Sequence, residues 1–173
     1  MNTKKLTLNA ILLALGFILY QFTPNLGTIQ IDVALSMLFI IILLNKDYKT
    51  ALIAGIITGI FTAMTSKTAG AQIPNIIDKV VTANVVYLLI LPLRNRINKN
   101  IILGIVLPIG TIVSGATFLS TAIYIFALKI PFIIAFTTVV IPTAICNFFL
   151  GLILFNIFDV AFKRSGLSRN FDL

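Results

Sequence analysis

The chain has 173 residues, of which 59% are hydrophobic and 10% charged, with a mean hydropathy of +1.09 and a formal net charge of +8. Soluble globular domains are about a quarter charged, so water is excluded as the main solvent of this surface and the bilayer takes its place. There is no histidine, no glutamate and only one cysteine, Cys146, which sits in an apolar run; the common zinc ligands, the usual acid–base groups and any internal disulfide are therefore missing, and no cofactor, metal or catalytic residue is expected.

The first apolar run covers residues 6–23 behind Lys4 and Lys5. It has the basic and apolar parts of a secretory signal, but it is longer than a signal core, lacks a small-x-small cleavage site and is followed at once by another apolar run, so it reads as a retained helix. Ala10 and Ala14 form an Ala-x-x-x-Ala face on which another helix can approach closely.

Further runs cover residues 29–44, 50–65, 73–93, 101–128 and 130–162. A bilayer core of about 30 Å needs roughly 20 apolar residues per helix, so residues 1–173 are expected to form a single transmembrane domain of six spans. The third run carries Ala51, Gly55, Gly59 and Ala63 at four-residue spacing, a small face whose use is packing inside the monomer. Pro108 and Pro142 are expected to kink or break the last two runs, and the sixth is long enough to tilt, to project from the bilayer or to begin as a loop near Pro131.

With the N-terminus inside, the cytoplasmic segments hold Lys4, Lys5, Lys46, Lys49, Arg94, Arg96, Lys99, Lys163, Arg164 and Arg169, while the outer loops hold Lys67 and Lys129. That bias predicts both termini in the cytoplasm. It also accounts for the net positive charge through orientation and anionic headgroups, which leaves no reason to invoke nucleic acid.

An ionisable residue within a span costs about 2.5 to 3.5 kcal/mol on insertion scales and marks a functional site by default. Asp32, Asp78 and Lys79 are three such residues, all at one depth from the outer surface: Asp32 about one turn into the second run, Asp78 and Lys79 about two turns into the fourth. They form either a clamp between helices or, with Asn75 and Gln72, the polar base of a site for a zwitterion such as an amino acid. Adjacent residues on a helix point about 100° apart, so Asp78 and Lys79 are not expected to face one partner squarely. Phe17, Tyr20, Phe22, Tyr124, Phe126, Phe132 and Phe136 collect at the same outer level; most read as an interfacial belt and a minority as stacking partners for a flat ligand. Asn84 and Asn147 read as hydrogen bonds between helices.

The segment Gln72-Ile73-Pro74-Asn75-Ile76-Ile77-Asp78-Lys79, the turn Leu43-Leu44-Asn45-Lys46-Asp47 and the two lysines ahead of Leu6 to Leu15 resemble the TrpP family of bacterial tryptophan transporters. That family in turn resembles the S components of energy-coupling factor transporters, six-helix proteins that bind substrate on the outer side of the cell membrane. The resemblance implies tryptophan as substrate. It also implies docking of the Ala10-x-x-x-Ala14 face on a transmembrane coupling subunit driven by a pair of ATPases, since this chain has no phosphate-binding loop. A proton-coupled secondary transporter using Asp78 and a non-transporting membrane scaffold are the alternatives.

Overall fold

The computed structural model describes residues 3–24, 31–66, 70–127 and 129–164, and the expectations for residues 25–30 and 67–69, for Leu128 and for Arg169 lie outside them. The described residues form six helices and no strand: α1 (Thr3–Phe22), α2 (Val33–Leu44), α3 (Tyr48–Met64), α4 (Gln72–Leu93), α5 (Lys99–Ile125) and α6 (Phe132–Arg164). Of these, α1, α4, α5 and α6 are long and apolar enough to cross a membrane, while α2 and α3 are shorter, with 12 and 17 residues. Large apolar side chains such as Ile18, Leu88, Ile101, Phe149 and Ile153 cover the outside. This is the inverse of a soluble protein's surface and marks a membrane protein.

The sequence differs most from the structure at α2. The expected span 29–44 becomes a helix that begins only at Val33, because the Asp32 carboxylate accepts the Leu35 N–H at 2.9 Å and caps it. At 1.5 Å per residue α2 is about 18 Å long, well short of a bilayer core. Every residue from Val33 to Leu44 is buried, and the helix packs against all five others. A helix that is apolar all round belongs in a core, and Leu38, Phe39, Ile40 and Ile41 of α2 meet Val86, Ile90, Leu103 and Leu107 there.

Asp47 caps α3 by accepting the N–H and the hydroxyl of Thr50. Partial burial pushes this carboxyl up, but the Thr50 hydrogen bonds, aided by its own backbone and by the charge of Lys5, hold it below the usual carboxylate range. At the same end, Asn9 and Asn45 exchange amide hydrogen bonds of 3.2 and 3.0 Å, and the Arg94 guanidinium donates to the Ile42 and Asn45 carbonyls at 2.7 Å. These donors satisfy the last carbonyls of a short helix that has no water around it.

The small face of α3 packs inside the monomer as expected: Ala51, Gly55, Gly59 and Ala63 are buried, and α3 lies against α4. A Cβ on Gly55 would sit 2.6 Å from Ala83 Cβ, and one on Gly59 would sit 3.0 Å from Ile76 Cα and 3.4 Å from Lys79 Cβ. This close approach fixes the stretch of α4 that carries Asp78 and Lys79. Gly55→Val is expected to cost about 1–3 kcal/mol by overpacking, lowering the thermal midpoint in detergent, whereas Ile56→Val on the exposed face should leave it nearly unchanged.

Neither Pro108 nor Pro142 breaks its helix. Instead α5 ends in a π-helical turn, Thr121–Ile125, and α6 passes through another, Phe136–Val140, just before Pro142. A π turn shifts the hydrogen-bond ladder by one residue, which accommodates a proline that cannot donate to it. α6 begins directly after Pro131, as one of the expected alternatives had it.

Candidate functional site

Asp32, at the start of α2, comes together with Asp78 and Lys79 of α4, although Asp32 and Lys79 stand 47 residues apart in sequence. The Lys79 ammonium lies 2.7 Å from Asp32 Oδ2 and 2.7 Å from Asp78 Oδ2, and it donates to Ser114 Oγ of α5 at 3.4 Å. Its three protons are thereby used. Asp78 accepts in addition from the Thr82 hydroxyl at 3.1 Å, and Asp32 receives the Leu35 N–H. The long lysine stem folds back to its neighbour Asp78 and still reaches Asp32, so Lys79 joins α4 to the start of α2.

Two carboxylates against one ammonium leave one excess negative charge. The Asp78 and Lys79 side chains are 2% and 3% exposed, whereas that of Asp32 is 15% exposed, so the excess charge is reached through Asp32. Asp32 sits at the N-cap of α2, not one turn inside it, and its own backbone N–H donates to Asn147 Oδ1 at 3.0 Å. Asn147 also reaches the Thr111 hydroxyl at 3.5 Å, and so ties α2, α5 and α6 together as an amide between helices is expected to. Asn84 likewise joins α4 to α3 through the Tyr48 hydroxyl at 2.5 Å.

These groups line a cavity of about 120 Å³ between α1, α2, α4, α5 and α6, open at its mouth. Tyr20, Asn75, Asp32, Asp78 and Lys79 line it, as expected from the sequence; Gln72 does not, because it lies exposed on the first turn of α4. The rest of the lining is largely apolar, with Phe118, Leu119, Val139 and Val140, and includes Thr143.

Phe118, Ser114, Thr111 and Thr143 are lining residues that sequence reasoning missed. Serine, threonine and phenylalanine are common in membrane helices, and only the packing of α5 against α6 distinguishes these from others. Among the expected aromatics, Phe22 and Tyr124 are exposed on the outside, consistent with an interfacial belt, while Phe17 packs on Phe61 and Phe132 on Phe136. Ala10 and Ala14 are both exposed on α1, away from the other helices.

A buried acid excess beside an apolar wall suits a ligand with a cationic end and an apolar body. The family model described as "Tryptophan transporter TrpP" matches residues 2–163. The chain belongs to the TrpP family. Proteins named "Probable tryptophan transport protein" are similar to it along nearly their whole length. That of Clostridium perfringens is 46% identical over 96% of this chain and 97% of its own, and that of Clostridium acetobutylicum 43% identical over 95% of each. The one from Bacillus subtilis is 38% identical over 95% of this chain and 96% of its own. No solved structure matches. TrpP proteins are transporters and not enzymes.

Proposed function

We propose that this TrpP chain binds tryptophan in the cavity above and carries it into the cell, as a multi-pass protein of the bacterial cell membrane with both termini in the cytoplasm. The observation that carries the reading is the single excess carboxylate, reachable at Asp32, facing an apolar wall. Asp32 takes the ammonium of the amino acid. Lys79 is already engaged by three partners, so the ligand carboxylate goes to an amide donor nearby, with Asn75 on α4 best placed. Phe118 and Tyr20 flank the indole.

The single domain acts as a substrate-binding S component of an energy-coupling factor transporter, with α2 and α3 completing a six-helix membrane bundle. In support, Ala10 and Ala14 present an uncovered small face on α1, suited to a coupling subunit that brings its own ATPases. A second reading, a proton-coupled carrier, draws on the same excess charge, which a proton neutralises when the ligand leaves.

Purified protein tests the substrate directly, because the chain contains no tryptophan and red-edge excitation reports the ligand alone. Saturable binding is expected; intact helices by circular dichroism without binding would dismiss tryptophan. Uptake in cells lacking the coupling subunit is expected to vanish, whereas uptake that persists there and collapses with a protonophore would replace the S-component reading by the proton-coupled one.

A further inference from the structure

We infer that Thr143 accepts the indole N–H of the ligand and so makes the cavity selective for indole over other bicyclic side chains, a deepening that rests on the tryptophan reading above. In apolar helices a threonine normally donates back to the carbonyl one turn earlier. Thr111, Thr121, Thr137 and Thr138, on the same two helices, all do so at 2.7–2.9 Å. Thr143 does not: its hydroxyl is buried, has no hydrogen-bond partner, and belongs to a residue only 9% exposed that lines the cavity. The residues one turn earlier, Val139 and Val140, lie in the π turn ahead of Pro142, where the ladder is out of step with an α-helix. A buried polar atom without a partner is costly, which makes it a specific acceptor when a ligand supplies the missing donor.

The other hydroxyls of the cavity are engaged. Ser114 accepts from Lys79, and Thr111 donates to Leu107 and accepts from Asn147. Asn75 lies on α4 beside the ionic group, one turn from Asp78 and Lys79. Thr143 lies one turn after Val139 and Val140, which line the same cavity. Thr58 also has a buried hydroxyl without a partner, but the crevice beside it is too narrow for a water molecule, so no ligand atom reaches it.

Thr143 stands one turn of α6, about 5.4 Å along the axis, before Asn147, whose side chain holds the Asp32 backbone. Asp32, Asn147 and Thr143 line the cavity together.

Competition binding of tryptophan and 3-benzothienylalanine, in which sulfur replaces the N–H with the ring shape kept, tests this on the full chain. Wild-type protein is expected to prefer tryptophan by at least about tenfold, since a site with a buried acceptor rejects the analogue that leaves it unpaired. Thr143→Val should bring the ratio close to one by weakening tryptophan alone, and Thr143→Ser should restore it. Equal loss of both ligands in Thr143→Val, or an unchanged ratio, would overturn the assignment, because the hydroxyl would then serve the ligand carboxylate or nothing. A wild-type protein that binds both ligands equally overturns it without any variant. One that binds neither overturns it together with the tryptophan reading.

Discussion

Asp32→Asn is expected to weaken tryptophan binding by about a hundredfold or more while the helices and the thermal midpoint stay close to those of the unmodified protein. The variant separates the two tasks of one carboxylate. As the cap of α2, Asp32 offers an oxygen to the Leu35 N–H, and asparagine caps a helix about as well as aspartate. As a charge, Asp32 supplies the negative excess over Lys79, and asparagine removes it. What remains is a neutral pair, Lys79 with Asp78 at 2.7 Å, so no buried charge is orphaned and the fold has little reason to weaken. The ammonium of a ligand, in contrast, enters a site that no longer has a charge to offset its desolvation. Losing such a charged hydrogen bond costs about 3 kcal/mol, or roughly a hundredfold in affinity. Titration with tryptophan, followed by the ligand's own fluorescence, measures the loss. The control is Asp159→Asn, which touches only an exposed pair with Lys163 and should leave affinity as it was. Undiminished affinity in Asp32→Asn would remove Asp32 from the site.

The same residue shows how far the sequence could be read. A carboxylate in an apolar run is conspicuous whatever its setting, so Asp32, Asp78 and Lys79 were legible as one group from cost and depth alone. The length of α2 was not legible, because an apolar run reads the same whether it ends at a cap or continues into lipid, and the cap became visible only through the hydrogen bond of Asp32 to Leu35. The small face of α3 was readable from its four-residue spacing, and the glycine contacts with Ala83 and Ile76 explain why it faces α4. Gln72 was misplaced because proximity in sequence to Asp78 says nothing about the face of α4 on which it lies. Phe118 and Thr143 left no signal at all: their importance arises from the π turn of α6 and the way α5 closes over it, and neither follows from residue type.

Removing the cation should have the largest structural effect of any single change. Lys79→Met keeps the length and apolar character of the stem but leaves the carboxylates of Asp32 and Asp78 facing one another without a counter-charge, a loss of about 3–5 kcal/mol for a broken buried pair. The thermal midpoint in detergent is expected to fall steeply, and expression with it. Combining Lys79→Met with Asp78→Asn returns the group to one net negative charge at Asp32, so the double variant should recover at least about 2 kcal/mol relative to the sum of the single effects. The same double variant decides what Lys79 does for the ligand. If the lysine only balances Asp78 and orients Asp32, tryptophan affinity in the double variant should stay within about tenfold of the unmodified protein, since the charge presented to the ammonium is the same. If Lys79 instead holds the ligand carboxylate, stability will return and binding will not. The three partners around its ammonium, Asp32, Asp78 and Ser114, leave no proton to spare for a fourth, and the first outcome is therefore the expected one.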